Sequence, residues 1–354
     1  MELLLLDKNF QICGLIDDFS SLVWNRKYYE CGSFNLQLGL NYWEQLKNAK
    51  YVYSKNFNET GILETLNYKT TEQGTEIQMS GRFLESILAN RVINKTQNFK
   101  NIITEDIIRS LVDTFVINAG ERTISNVVLG ERKGFGKKRT IQITGDNLLT
   151  KIYELCKEDE LSIKLWYDFD NNKLVFEVWQ GIDRRDTQNE NTWAIFSKNF
   201  ENILQDEYST DETKYCNFAY VAGEDKAENR VIVEVNKIKE NEERKELYVD
   251  ARDLQKDEET TDEEYKQMLI ERGIEKLSEN NKVETSNFNI DPYSNLKYKT
   301  DFDLGDKVIY KNDELDFNIE NRIIGVSEAY ENSNKTLDVT FGEDYNIKKV
   351  KEMI

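Results

Sequence analysis

The side chains able to do chemistry in this sequence are mostly carboxylates and basic groups, because histidine is absent from all 354 residues. That removes Ser-His-Asp and Cys-His catalysis, H-E-x-x-H zinc sites and imidazole general bases together. Cys13, Cys31, Cys156 and Cys216 stand far apart with no C-x-x-C pair. In a chain this long they read as buried or idle thiols, not as a disulfide framework. Asp17-Asp18 is the first acidic pair, but neighbours on a strand point to opposite faces and do not converge on one reacting atom. A glycosidase needs two carboxyls facing each other across a cleft. Asp183-Arg184-Arg185-Asp186 reads as a turn whose guanidinium groups pair with carboxylates within or between subunits.

Gly130–Thr140, GERKGFGKKRT, has the glycines and lysines of a phosphate loop but not their spacing. Glu131 stands where a Walker A loop needs its first Gly, and Lys138 where it needs Ser or Thr. What remains is a flexible basic loop, able to contact an acidic neighbour or nucleic acid, or a solvated hairpin tip. No run matches an EF-hand; Asp168, Asp170, Asn171 and Asn172 imitate only its first half. No metal, cofactor or catalytic set emerges.

The elements around these groups are mostly strands. Leu36 and Leu38 alternate with Asn35 and Gln37, and Ile77 and Met79 with Glu76 and Gln78, so residues 1–82 read as half-buried strands. Asn58-Glu59 and Gln73-Gly74 supply turns. A short helix follows with Phe83, Leu84, Ile87 and Leu88 on one face, then helices over 104–118 (Thr104 as N-cap) and 146–158. Leu161–Phe169 and Lys173–Trp179 form a hairpin. Thr261-Asp-Glu-Glu264 has the form of a capping box opening a helix over 262–279. Residues 61–81 and 322–342 echo one another. Each is a strand with Ile and Tyr (Tyr68, Tyr330), a polar turn, and an alternating strand closing on Gly81 or Gly342, which reads either as ordinary β-hairpin grammar or as the mark of a duplication.

Length allows two to three domains. With 47 Lys plus Arg against 66 Asp plus Glu the net charge is −19, which disfavours indiscriminate duplex binding. Four leucines after Met1-Glu2 are too few for a signal or membrane segment, so a soluble protein made in a reducing cytoplasm is expected. The residues alone give a mostly-β protein with no recognisable catalytic apparatus.

Several stretches resemble the tail hub family of Gram-positive siphophages, the tail-associated or baseplate hub proteins. GLIDDFSSLVWNRKYYECGSFNLQL (14–38) is similar to that family's opening through Asp18, Phe19, Ser20, Trp24, Arg26, Tyr28, Gly32 and Phe34. MSGRFLESILANRVI (79–93) resembles its Gly-Arg…Leu…Arg junction through Gly81, Arg82, Leu88 and Arg91. Segments 181–200, 215–224, 248–254 and 301–310 look like later landmarks, in order. The basic glycine loop matches none.

The resemblance implies a mostly-β (β+α) fold of baseplate-hub type with two β-barrel-like tube domains. Tube domains are expected at 1–82 and 198–345, the second with the inserted helix 262–279. An α+β lobe lies between them at 83–197, and a C-terminal tail at 346–354. It further implies a non-enzymatic homotrimer at the virion tail tip or baseplate, made in the host cytoplasm. Such a trimer joins the hexameric tail tube or distal tail protein to the tip, spike or fibre. It passes tape measure and, transiently, DNA, without stable membrane association. An acidic channel is expected to repel DNA. Trp24, Arg26 and Tyr28 are expected to organise the first barrel. Asp183, Arg184, Arg185 and Asp186 are expected to pair across a lobe or subunit boundary, and Asp303, Gly305 and Asp306 to form a turn into the last barrel. Alternatives are a baseplate carbohydrate- or receptor-binding module with Trp and Tyr platforms, and a cell-wall glycosidase using paired carboxylates.

Overall fold

The computed structural model describes residues 1–342 apart from 73, 225–229, 257–259, 292 and 332–333. The expected tail 346–354, and Gln73 of the expected turn, lie outside the described residues.

One antiparallel wall runs through the molecule. Its strand order is Ile203–Asp211, Val283–Ile290, Asn334–Gly342, Phe317–Glu331, Ser21–Lys27, Ser33–Gly39, Gly74–Arg82, Thr65–Thr71. Period-2 alternation makes each strand two-faced. Leu22, Trp24, Phe34, Leu36, Leu38, Ile77 and Met79 are buried on one face of the first half, while Asn25, Asn35 and Gln37 lie on the other. A second sheet (Ile12–Ile16, Leu3–Leu6, Tyr51–Tyr53, Gly61–Ile62) covers that apolar face, with Leu3, Leu5, Ile16 and Val52 packing on it. In the other half Phe288, Ile290, Leu337, Val339 and Phe341 pack on Phe196, Phe302, Val308 and Tyr310.

Two further units leave the wall. Residues 84–179 build an α+β lobe from a 3-10 turn Leu84–Asn90, helices Thr104–Val112 and Leu148–Glu158, and the hairpin Ser162–Asp168/Lys173–Trp179. Its core joins Leu88, Ile108, Leu111, Ile152, Leu155 and Phe176. The chain is back at the second half of the wall by Asp183, which bridges to Lys307. The insertion in that half is larger than a helix. Asp262–Glu279, opened by the Thr261/Glu264 capping box, packs on a sheet of Ile232–Asn236, Phe218–Ala222 and Glu246–Asp250 with its own core of Ala219, Val221, Tyr265 and Leu269.

Thr104 is not the N-cap of its helix. Ile103 holds that position, and the Thr104 hydroxyl instead donates to Asp159 and accepts from Arg139 Nε at 2.9 Å. The glycine loop is exposed along most of its length, but it is no hairpin tip, since the strands on either side pair elsewhere, and its backbone is pinned. The backbone N–H groups of Lys133 (2.9 Å), Gly134 and Phe135 (2.8 Å) converge on the fully buried Glu105 carboxylate, an anion nest filled by the chain itself. Its acidic neighbour is intramolecular.

Candidate assembly surface

The residues singled out from sequence meet along one polar seam where the two wall halves and the lobe join. Strand alternation turns Trp24 and Arg26 to the buried face. Trp24 stacks on Phe57 at 4.3 Å, and its indole N–H donates to Glu59 at 3.2 Å. Arg26, 5% exposed, donates from Nε to Glu59 at 2.7 Å, and from Nη1 to Asp303 at 2.6 Å and the Tyr298 hydroxyl at 2.7 Å. Burial works against its charge, but Glu59, Tyr298 and Asp303 outweigh that and hold the guanidinium above its usual range. One arginine thus ties residues 272 to 277 positions apart.

Tyr28 lies two residues on. Its hydroxyl donates to the Glu160 carbonyl at 2.9 Å, and its ring lies edge-on to Trp179 and under the Arg322 guanidinium. Gly305 sits against that ring at φ +86°, where a Cβ would come within 2.5 Å of it; glycine is required by both space and backbone. Asp306 takes the Ile182 amide at 2.8 Å and Arg184 Nε at 2.6 Å. Burial raises its pKa, and those donors pull the other way. Arg185 chelates Asp183 at 2.6 and 2.9 Å and reaches Glu320 at 2.7 Å, while Asp186 stands 3.9 Å from Lys311. The charged quartet therefore pairs within one chain, and Arg184 links the 181–186 turn to the 303–306 turn.

A cleft of about 500 Å³ opens beside this seam, lined by Glu160, Arg185, Lys237, Lys307, Glu320 and Arg322 among others. Glu160 accepts from Arg322 at 2.9 Å and Lys307 at 2.5 Å, so it is a junction of ion pairs fixing the lobe against the second half of the wall. Asp17 accepts from the Tyr42 hydroxyl at 2.6 Å, and no carboxylate pair faces it across a cleft among the described residues. Among the described residues the nearest approach to a metal geometry, Glu154, Glu275 and Glu279, already holds the Lys151 ammonium at 2.7 and 2.9 Å through its first two members. Sequence reasoning missed Glu59 (read as a turn residue), Tyr298, Glu160 and Arg322. Their roles arise only when distant segments meet.

The wall presents two further features. Its open face is rich in uncharged polar groups, including Asn25, Asn35, Gln37, Gln78, Ser80, Gln205, Asn287, Asn289, Ser327 and Thr340. Its charges there are Lys27, Lys69 and Arg82 against Glu76, Glu207, Asp211, Glu331 and Asp338. Among the described residues its two end strands, Thr65–Thr71 and Ile203–Asp211, pair with a strand on one side only. Unpaired edges are a liability unless another chain covers them.

A family model described as Siphovirus ReqiPepy6 Gp37-like protein matches residues 2–343. No curated protein matches. Among solved structures, prophage tail protein gp18 of Listeria monocytogenes EGD-e superposes with TM-score 0.60 at 12% identity, over 100% of this chain and 98% of that one. The 43 kDa tail protein of prophage MuSo2 from Shewanella oneidensis gives 0.58 at 12%, over 96% and 98%. The tail protein of Neisseria meningitidis MC58 gives 0.54 at 13%, over 94% of each.

Proposed function

The chain belongs to the Siphovirus ReqiPepy6 Gp37-like family of phage tail proteins, and from that membership we propose that it is a homotrimeric tail hub. In this reading it sits at the tail tip and works as a structural, non-catalytic adaptor. It joins the tube or distal tail protein to the tip, spike or fibre, and gives tape measure and DNA a passage.

The observation that carries the reading is a repeat inside the wall. Number the wall strands of each half by chain order. The first half is then Ser21–Lys27, Ser33–Gly39, Thr65–Thr71, Gly74–Arg82, and the second Ile203–Asp211, Val283–Ile290, Phe317–Glu331, Asn334–Gly342. Across the sheet both halves run first, second, fourth, third. They are joined head to tail, the third strand of one pairing the first of the other. The same junction is left open at both ends. Head-to-tail contacts make rings where the rotation closes, and closure removes every exposed edge. Three copies offer six such units to a sixfold tube. Twenty-four strands at about 4.8 Å spacing give a circumference of about 115 Å before tilt widens it, whereas barrels of about 16 to 18 strands already hold an aqueous channel. The apolar face is used by the two cores, so the polar face, with its small excess of carboxylates, is the one that would line the bore.

Solution mass tests this directly. The expected result is a trimer, alone or on adding tube protein; a monomer under both conditions would refute it.

One observation favours a second reading, glycan binding. On the open face of the inserted sheet, Tyr220 and Tyr248 lie directly opposite one another. Their hydroxyls accept from Arg244 at 2.7 Å and Arg230 at 3.2 Å, which fixes both rings. Loss of chito-oligosaccharide binding in Tyr248→Ala would support it, and absence of any binding by the parent protein would end it.

A further inference from the structure

We infer that copies join through a defined register: strand Thr65–Thr71 of one copy lies antiparallel to Ile203–Asp211 of the next, with Lys69 opposite Glu207 and Tyr68 opposite Tyr208. The inference deepens the trimer reading and rests on it.

The register follows from the internal junction, which serves as its template. Both hairpins close on a two-residue connection, pairing Thr71 with Gly74 and Glu331 with Asn334, so Thr71 corresponds to Glu331 and Ser80 to Thr340. Ser80 pairs with Asn35 and Thr340 with Asn287, so Asn35 corresponds to Asn287. Asn35 pairs with Val23 and Asn287 with Glu207, which makes Glu207 the counterpart of Val23. Four strands thus superpose without a break in register. At the internal junction Ala329 lies opposite Val23, Glu328 opposite Trp24 and Ser327 opposite Asn25. Carried to the open edges, those pairs become Lys69 with Glu207, Tyr68 with Tyr208, and Asn67 with Ser209.

The resulting pairs are chemically apt, although charge and aromaticity played no part in deriving them. An ammonium meets a carboxylate on the open face, and directly opposed opposite charges favour pairing. Two tyrosines meet on the other face, where in the single chain Tyr68 is 66% and Tyr208 41% exposed. Large aromatics this open on an edge are what a strand partner would cover. A slip by one residue would turn each side chain to the wrong face, so the register is sharply testable.

The test uses the full chain with Cys13 and Cys216 changed to Ser. Asn67→Cys with Ser209→Cys should cross-link between copies on mild oxidation, while Asn67→Cys with Glu207→Cys, two residues away on the same face, should cross-link far less. Lys69→Glu should weaken each junction roughly fivefold and a ring of three junctions about a hundredfold. Glu207→Lys in the same chain should restore the trimer, which separates a broken contact from a misfolded chain. A wild-type chain that stays monomeric both alone and with tube protein would sink the trimer reading itself. A wild-type trimer that ignores the charge reversal, or that cross-links equally at both cysteine pairs, would leave that reading intact and overturn the register.

Discussion

Arg26 carries more of the fold than its place in a strand suggests. The sequence marks it beside Trp24 and Tyr28, but its partners Glu59, Tyr298 and Asp303 carry no local signal, and only the closed fold brings them to one guanidinium. Removing one member of a buried ion pair strands the others, at about 3–5 kcal/mol. Arg26→Met should therefore lower unfolding free energy by about 3 kcal/mol in urea titrations, and adding Glu59→Gln should recover part of it. Glu85 makes the opposite case. It is buried, its Oε1 takes a weak contact from the Leu165 amide at 3.4 Å, and its Oε2 has no partner among the described residues. Burial pushes its pKa up to about 8, with Glu59 adding to the rise. An acid raised in the folded state keeps a proton that the unfolded chain loses near pH 4.3. Stability is then fully present below that value and falls up to pH 8, by at most about 1.4 kcal/mol per pH unit. Glu158, pushed up to about 7 by burial against the pull of Arg139, adds a similar slope. Glu85→Gln should flatten the profile between pH 5 and 8 without abolishing it, and should be the more stable protein at pH 8.

Among the elements, those set by short-range pattern were legible and those set by a distant partner were not. The hairpin over 162–179, the capping box at Thr261 and the alternation of the wall strands follow from neighbours in sequence. The glycine loop does not. Its lysines suggested an anion outside the chain, yet its backbone amides close on Glu105 and its Arg132 on Asp106 at 2.6 Å. Glu105 lies in the first turn of Thr104–Val112, where its charge also suits the helix N-terminus. Glu105→Gln should weaken several charge-assisted bonds at once, costing about 2 kcal/mol. The sharper readout is local: trypsin should cut at Lys133, Lys137 or Lys138 faster in this variant than in the parent, and equal rates would mean the nest does not order the loop.

For the whole molecule, the surface that matters most to the proposed role is mostly uncharged, within a chain that is acidic overall. A net charge of −19 suggests a channel that repels nucleic acid. The wall face carries mainly Ser, Thr, Asn and Gln, with three basic groups against five carboxylates along the paired strands. The duplication behind that wall was legible where hairpin resembles hairpin, at 61–81 and 322–342. It was hidden at Ile203–Asp211, whose match to Ser21–Lys27 lies in register and not in residue type. In the proposed ring, a bore of mainly hydroxyls and amides would neither condense on a polyanion nor expel it, so passage should depend little on salt. Phosphate contacts behave differently: each lysine that neutralises a phosphate ties affinity steeply to ionic strength. Particles carrying Asn25→Lys, Asn35→Lys and Asn287→Lys should therefore eject DNA more slowly than the parent at about 50 mM salt and approach the parent rate at about 200 mM. The parent itself should change little across that range. A parent rate that climbs with salt would show that the bore holds DNA by charge, and a lysine variant indistinguishable from the parent would show that this face does not meet the DNA.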